Sequence, residues 1–118
     1  MVTAVMAYTH GIGMLATIEG GIPRLRPLEF SRIAGEWWAP TSRRVQQALA
    51  ECDGQRVELL FVDDNASNDR IFGILECSED PTDRRYLWEL QREDIQYQYT
   101  SPEDPNLIVV KIIPGNDD

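Results

Sequence analysis

Arginines in the first half of the sequence are the residues whose type and spacing could do chemistry. Arg24 and Arg26 stand two apart in a predicted strand, so both side chains leave one face and their charges repel unless an anion joins them. Arg43 and Arg44 follow Ser42 at the predicted start of a helix, where the helix dipole disfavours cations. A phosphate would remove both conflicts, because guanidinium, hydroxyl and first-turn N–H groups all donate to it.

A second interpretation of these arginines stays open. They can be solvated, or paired with Glu29, Glu36 or acids of the second half. Pro27, which cannot donate to a β-ladder, places its segment at a sheet edge or against a ligand. Spacing alone therefore leaves both an anion site and a solvated surface as interpretations.

Composition limits the partners. The 118 residues carry 20 acids and 11 bases, a net charge of -9, and all of the excess lies after residue 59. This charge disfavours nucleic acids and acidic membranes as partners. The length predicts a single domain over residues 1–118. Without a long apolar run or a signal-peptide pattern, we expect a soluble, cytoplasmic protein.

Metal ligands and catalytic groups are scarce. His10 is the single histidine, and Cys52 and Cys77 are the two cysteines, with no pair at zinc-like spacing. The sequence therefore predicts no metal site, and a surface or helix-end position for His10. Both cysteines are predicted to be small buried thiols, because no histidine is placed to activate them. No side chain is an evident general acid or base, so the catalytic residues stay unassigned.

The elements that must position the arginines are short strands and helices. Apolar patterns predict helices over residues 2–8, 42–52 and 81–92, and strands over 14–19, 22–30, 36–39, 57–62, 70–77 and 107–113. Gly20-Gly21 is a hairpin signal, and a second turn is expected near Ala34-Gly35. We expect Leu87 and Leu90 to face inward from the last helix. These elements predict a mainly β fold with flanking helices, built as a six-stranded antiparallel barrel.

Four segments, in order, resemble one family. LATIEGGIPRLRPLEF at residues 15–30 resembles the opening of the pyridoxamine 5′-phosphate oxidase-like, FMN-binding split-barrel superfamily, especially its short general-stress-protein-like members. WWAPTSRR at 37–44 resembles that family's aromatic strand and phosphate-binding turn. RVELLF at 56–61 and SPEDPNL at 101–107 resemble its next strand and the start of its last one. The resemblance covers about residues 10–113.

The resemblance implies a six-stranded split barrel that forms a homodimer, with two FMN sites at the subunit interface. Ser42, Arg43 and Arg44 would hold the phosphate, and Asn68 would fall near a polar contact of the flavin ring. The implied cofactor-binding residues are Arg24, Leu25, Arg26, Pro27, Trp38, Ala39, Ser42, Arg43 and Arg44.

The function implied is that of an FMN-binding flavoprotein, an oxidoreductase of unknown substrate. Pyridoxamine phosphate oxidation itself is not predicted, because the residues that bind the pyridoxal group have no counterpart here. One alternative is a cofactor-less dimer that acts as a binding or structural module. A second alternative is a binder of another phosphorylated flavin-like cofactor, such as a deazaflavin.

Trp38 bears on the choice between these alternatives. Trp37 and Trp38 adjoin on a predicted strand and so face opposite sides. Trp38 could stack on the flavin ring or fill the site. Equally, one tryptophan could lie in the core and the other at a dimer interface.

Overall fold

The computed structural model describes residues 10–62 and 68–115, so the predicted helix over 2–8 and residues 63–67 of the predicted polar turn lie outside the described residues. The strands are β1 (His10–Glu19), β2 (Ile22–Ile33), β3 (Glu36–Thr41), β4 (Arg56–Val62), β5 (Asn68–Ser78) and β6 (Ile108–Pro114). The helices are α1 (Arg43–Leu49), which a 3-10 turn at Ala50–Cys52 extends, and α2 (Pro81–Ile95). The predicted mainly β fold with flanking helices is confirmed. No helix in the described part of the chain is long and apolar enough to cross a membrane.

The six strands close into an antiparallel barrel in the order β1-β2-β3-β6-β5-β4. β1 and β2 pair over ten residues each, whereas β1 and β4 pair over only three, from Met14–Leu60 to Ala16–Glu58. Beyond Ala16 the two strands separate. The barrel wall is therefore open beside the last residues of β1.

The two predicted turns join β1 to β2 and β2 to β3. Gly20 and Gly21 have φ of 58° and 79°, and Ala34 and Gly35 have φ of 53° and 81°. Two central residues with positive φ match the right-handed twist of a hairpin, which explains the glycines. Both turn predictions are confirmed.

The core lies inside the barrel and under α2. Trp37 packs inside, with its ring 4.8 Å from that of Phe61, while a second cluster under α2 contains Trp38 and Leu87. The prediction that Leu90 faces inward is wrong, because its side chain is 52% exposed. The buried stripe of α2 instead runs through Leu87, Trp88, Gln91 and Ile95, which turns the face away from Leu90.

Gly73 lies on β5, paired with Pro114 of β6. A Cβ at this position would stand 2.6 Å from the carbonyl oxygen of Ile113 and 2.9 Å from Cγ2 of Ile112. We expect Gly73→Ala to lower the free energy of unfolding by about 1–3 kcal/mol, since a paired backbone cannot move away. Urea denaturation measures the loss. Gly115→Ala is the control, because its Cβ would meet nothing within 4 Å, and equal losses in both variants would contradict the explanation.

Candidate functional site

A cleft of about 850 Å³ opens where β1 separates from β4. Two guanidinium groups, one carboxylate and several apolar side chains form its walls. The lining residues are Ala16, Thr17, Ile18, Pro23, Arg24, Leu25, Arg56, Val57, Glu58 and Phe72. The cleft therefore combines cationic groups with apolar surface, which suits an organic anion.

The cleft opens on an outer face of the sheet, here called the apolar face. Register places Leu25, Ala16, Glu58 and Phe72 in one row across β2, β1, β4 and β5. Leu25 is 66% exposed and Phe72 is 42% exposed. The helix α2 packs instead over Trp38 of β3. Exposed large apolar side chains on one face, as Leu25 and Phe72 are, favour an interaction site.

Arg24 and Arg26 have different surroundings, because Arg26 pairs with a carboxylate of the neighbouring strand β1 and Arg24 does not. Arg26 forms a two-pronged ion pair with Glu19, in which Nη1 donates to Oε2 and Nη2 donates to Oε1 at 2.9 Å. The Thr17 hydroxyl also donates to Glu19, at 2.6 Å. Arg24 is exposed and lines the cleft. Of the predicted pair, Arg24 rather than Arg26 is thus presented to the cleft.

The Glu19–Arg26 pair predicts a pH-dependent stability. The Arg26 guanidinium, more than the Thr17 hydroxyl and against the effect of burial, lowers the pKa of Glu19 to about 2. A lowered carboxyl pKa stabilises the fold above the unfolded value of 4.5, and this contribution is lost as the pH falls through 2. We therefore expect Arg26→Ala to lower the free energy of unfolding by about 2 kcal/mol at neutral pH and by less as the pH falls.

Chemical denaturation at a series of pH values measures this difference. Arg24→Ala is the matched control, since it removes the same side chain from the same face two residues away, and Arg24 lowers the pKa of Glu19 less than Arg26 does. An Arg26→Ala deficit that is the same at neutral pH and near pH 2 would contradict the assignment.

The segment Ser42-Arg43-Arg44 lies at the start of α1. The Ser42 hydroxyl caps the helix by accepting from the Val45 amide at 3.2 Å. Arg43 Nη2 lies 2.7 Å from Glu79 Oε1, and its Nε donates to the carbonyl of Pro105 at 3.0 Å. Arg44 is exposed. Within one chain, Arg43 is therefore already paired, and none of these three residues is among those lining the cleft.

The two predicted site residues of β3 are buried. Trp38 lies under α2, where its indole N–H donates to Glu36 at 2.9 Å and its ring lies 4.3 Å from Lys111 Nζ. Ala39 is completely buried in the barrel core. Trp38 does not line the cleft and so does not fill it. Of the predicted site residues on β2, Leu25 lines the cleft, and Pro27 is exposed near it along the strand.

The two thiols match their predicted structural role. Cys52 is buried, Cys77 is half-buried, and both are free. Burial raises the pKa of the Cys77 thiol to about 11, which keeps it protonated and unreactive at neutral pH.

One cluster was missed by sequence reasoning. His10 is exposed at the start of β1, with its ring beside Glu29 of β2 and Asp94 of α2. Burial, together with the adjoining Asp94 carboxylate, raises the pKa of Glu29. No spacing pattern could reveal this cluster, because the three residues come from three elements. Of the two positions expected for His10, the surface position is confirmed and the helix end is not, since His10 begins a strand.

Solved structures share this architecture. General stress protein 26 from Bacillus anthracis str. Sterne has a TM-score of 0.75 at 20% identity, over 96% of this chain and 85% of that one. A protein of the pyridoxinephosphate oxidase family from Clostridium acetobutylicum, related to general stress protein 26, has a TM-score of 0.70 at 22% identity, over 93% and 78%. The fold is the split barrel.

The predicted split-barrel fold is thereby confirmed. An F420 reductase with the same split barrel has a TM-score of 0.66 at 15% identity, over 88% of this chain and 86% of that one. No family model and no curated protein matches the sequence.

Proposed function

We propose that this split-barrel protein binds FMN and acts as an oxidoreductase, with the flavin held at the interface of a homodimer. The observation that carries the proposal is the cleft, where Arg24 stands beside the apolar side chains of Leu25 and Phe72. Its volume, about 850 Å³, lies within the usual range of ligand pockets. When bound, FMN supplies transfer of a hydride or of single electrons.

The residues present suit a flavin phosphate by their chemistry. One guanidinium group can donate two parallel hydrogen bonds to two phosphate oxygens. Arg24 and Arg44 are exposed, so both can reach a ligand. Arg43 does not line the cleft of its own chain, so it would exchange Glu79 for the phosphate at the cleft of the second copy. The net charge of -9 does not oppose binding, because the local potential at the site decides what an anion meets.

The position of the cleft supports the proposed homodimer. Leu25 and Phe72 form part of both the cleft and the apolar face, and in the described part of the chain α2 covers a different side of the barrel. A second copy on the apolar face would cover these side chains and close the cleft against water. It would also bring a second set of arginines to the site. A dimer is therefore part of the proposed flavin site.

A deazaflavin is the second candidate cofactor. One solved structure with this fold is an F420 reductase, and another belongs to the pyridoxinephosphate oxidase family. Both names are those of redox proteins, which supports an electron-transfer role here. The fold alone does not choose between FMN and F420.

Reconstitution tests the proposal. We expect protein mixed with FMN and passed through gel filtration to keep the flavin and show the two absorption bands of an oxidised flavin. Addition of F420 to the FMN complex then shows which cofactor displaces the other. Protein that stays colourless with FMN and with F420 would overturn the proposal in favour of the cofactor-less dimer.

A further inference from the structure

His10, Glu29 and Asp94 place three metal-binding atoms together at the surface. One atom from each residue lies within 4.8 Å of the other two. His10 Nε2 is 2.6 Å from Glu29 Oε2 and 3.8 Å from Asp94 Oδ2. The residues belong to the start of β1, to β2 and to the last turn of α2, so a ligand bound by all three would join helix to barrel.

The donor set has a recognisable preference. Imidazole nitrogen and carboxylate oxygen are both ligands that Zn²⁺ accepts, and the imidazole favours zinc and related transition metals over Mg²⁺ or Ca²⁺. Zinc bonds of about 2.0–2.2 Å place two ligand atoms of a tetrahedral site about 3.3 Å apart. The observed separations of 2.6 and 3.8 Å lie on either side of that value. Small side-chain movements would therefore complete the geometry.

A buried network orients the imidazole. His10 Nδ1 lies 2.9 Å from the Ser31 hydroxyl, which accepts from the buried amide of Gln91 at 2.7 Å. That amide also donates to the carbonyl of Glu29 at 3.2 Å. Histidines that bind metal usually donate their second ring N–H to an oxygen, as Nδ1 would to Ser31. Nε2 is thereby left to face the two carboxylates.

Gln91, which donates to Ser31 in this network, is itself irregular in two ways. Its Oε1 atom is buried and has no hydrogen-bond partner among the described residues. Its backbone leaves the helical range, with φ of -116° and ψ of 18°, three residues before Asp94. A buried acceptor without a partner is costly and calls for an explanation such as an ion or a water molecule. The irregularity therefore points to a ligand near this end of α2.

We propose that His10, Glu29 and Asp94 bind one divalent cation of the zinc type. Three protein ligands leave a fourth position for water or a further ligand. His10 lies seven positions along β1 from Thr17, the partner of Arg24 in the β1–β2 ladder, which corresponds to roughly 23 Å. The proposed metal site is thus distinct from the flavin cleft, and it departs from the sequence expectation of no metal site.

Titration of metal-free protein with Zn²⁺ tests the site. Because His10 is the single histidine, its ring ¹⁵N signals report on the site without overlap. We expect calorimetry to show one zinc per chain and the Nε2 signal to move on binding. Asp94→Asn and His10→Gln should each weaken zinc binding by at least about tenfold.

Glu93→Gln is the matched control, since it removes one charge from the neighbouring exposed position of α2. It should bind zinc as the unchanged protein does. Zinc should also raise the melting temperature of the unchanged protein but not that of Asp94→Asn. Absence of saturable binding up to about 1 mM zinc, or unchanged affinity in Asp94→Asn and His10→Gln, would overturn the proposal.

Discussion

Arg43→Ala combined with Arg44→Ala is expected to weaken FMN binding by at least about 100-fold, because each hydrogen bond from a charged group contributes about 1.5–3 kcal/mol. The variant should fold normally. Arg44 is exposed, and Arg43 makes its contacts with Glu79 and Pro105, both at the surface, so neither arginine supports the core. Loss of an ion pair between solvent-exposed side chains changes stability little.

Fluorescence titration of FMN measures the affinity of this double variant. Arg85→Ala combined with Arg92→Ala is the control, because it removes the same number of exposed arginines and changes the net charge equally. The control should bind FMN as the unchanged protein does. Full affinity in the Arg43 and Arg44 variant would show that the phosphate lies elsewhere, with Arg24 of the cleft as the next residue to replace.

Phe72→Asp is expected to convert the proposed dimer to a monomer. Phe72 lies on the apolar face, in register with Glu58 and in the same row as Leu25. A carboxylate placed there would lie beside the Glu58 carboxylate and would be buried when the second copy docks. Repulsion between like charges and the cost of burying a charge both disfavour the dimer.

Sedimentation equilibrium measures the change. We expect the unchanged protein to have twice the chain mass of 13.5 kDa, and the Phe72→Asp variant to have the mass of a single chain. Tyr97→Asp is the control, since Tyr97 is 84% exposed and follows the end of α2. An unchanged protein that stays monomeric at high concentration would contradict the dimer.

The same variant links the dimer to the flavin. If a second copy closes the cleft, monomeric Phe72→Asp should lose FMN together with its partner. A monomeric variant that retains FMN with full affinity would place the whole site within one chain. Measuring the oligomeric state and flavin content of one sample separates these outcomes.

The predicted elements were most accurate where local patterns are strong. Gly20-Gly21 and the Asp80-Pro81 helix start were recognised because each has one favoured backbone geometry. β1 was predicted to begin at residue 14 but begins at His10. Residues 10–13 have weak strand character of their own and become a strand by pairing with residues 28–31 of β2. Pairing with β2 therefore makes β1 four residues longer at its start than the strand propensity of its own residues predicts.

In the candidate site, too, local patterns predicted some features and tertiary contacts decided others. Strand periodicity correctly placed Trp37 and Trp38 on opposite faces, but it could not say that α2 covers Trp38. It likewise placed Arg24 and Arg26 on one face, and the pairing of Arg26 with Glu19 separated their roles. Such outcomes depend on distances across strands, which the spacing within one strand does not contain.

By itself, then, the sequence determined the hairpins, the alternation of buried and exposed residues and the family that the chain resembles, because these depend on neighbours along the chain. Only the tertiary structure decided where the arginine side chains find partners, that β1 separates from β4 to form the cleft, and that His10 meets Glu29 and Asp94. His10 lies 19 positions from Glu29 and 84 positions from Asp94 in the chain. Charge and coordination act over a few ångströms of space, whatever the separation in sequence.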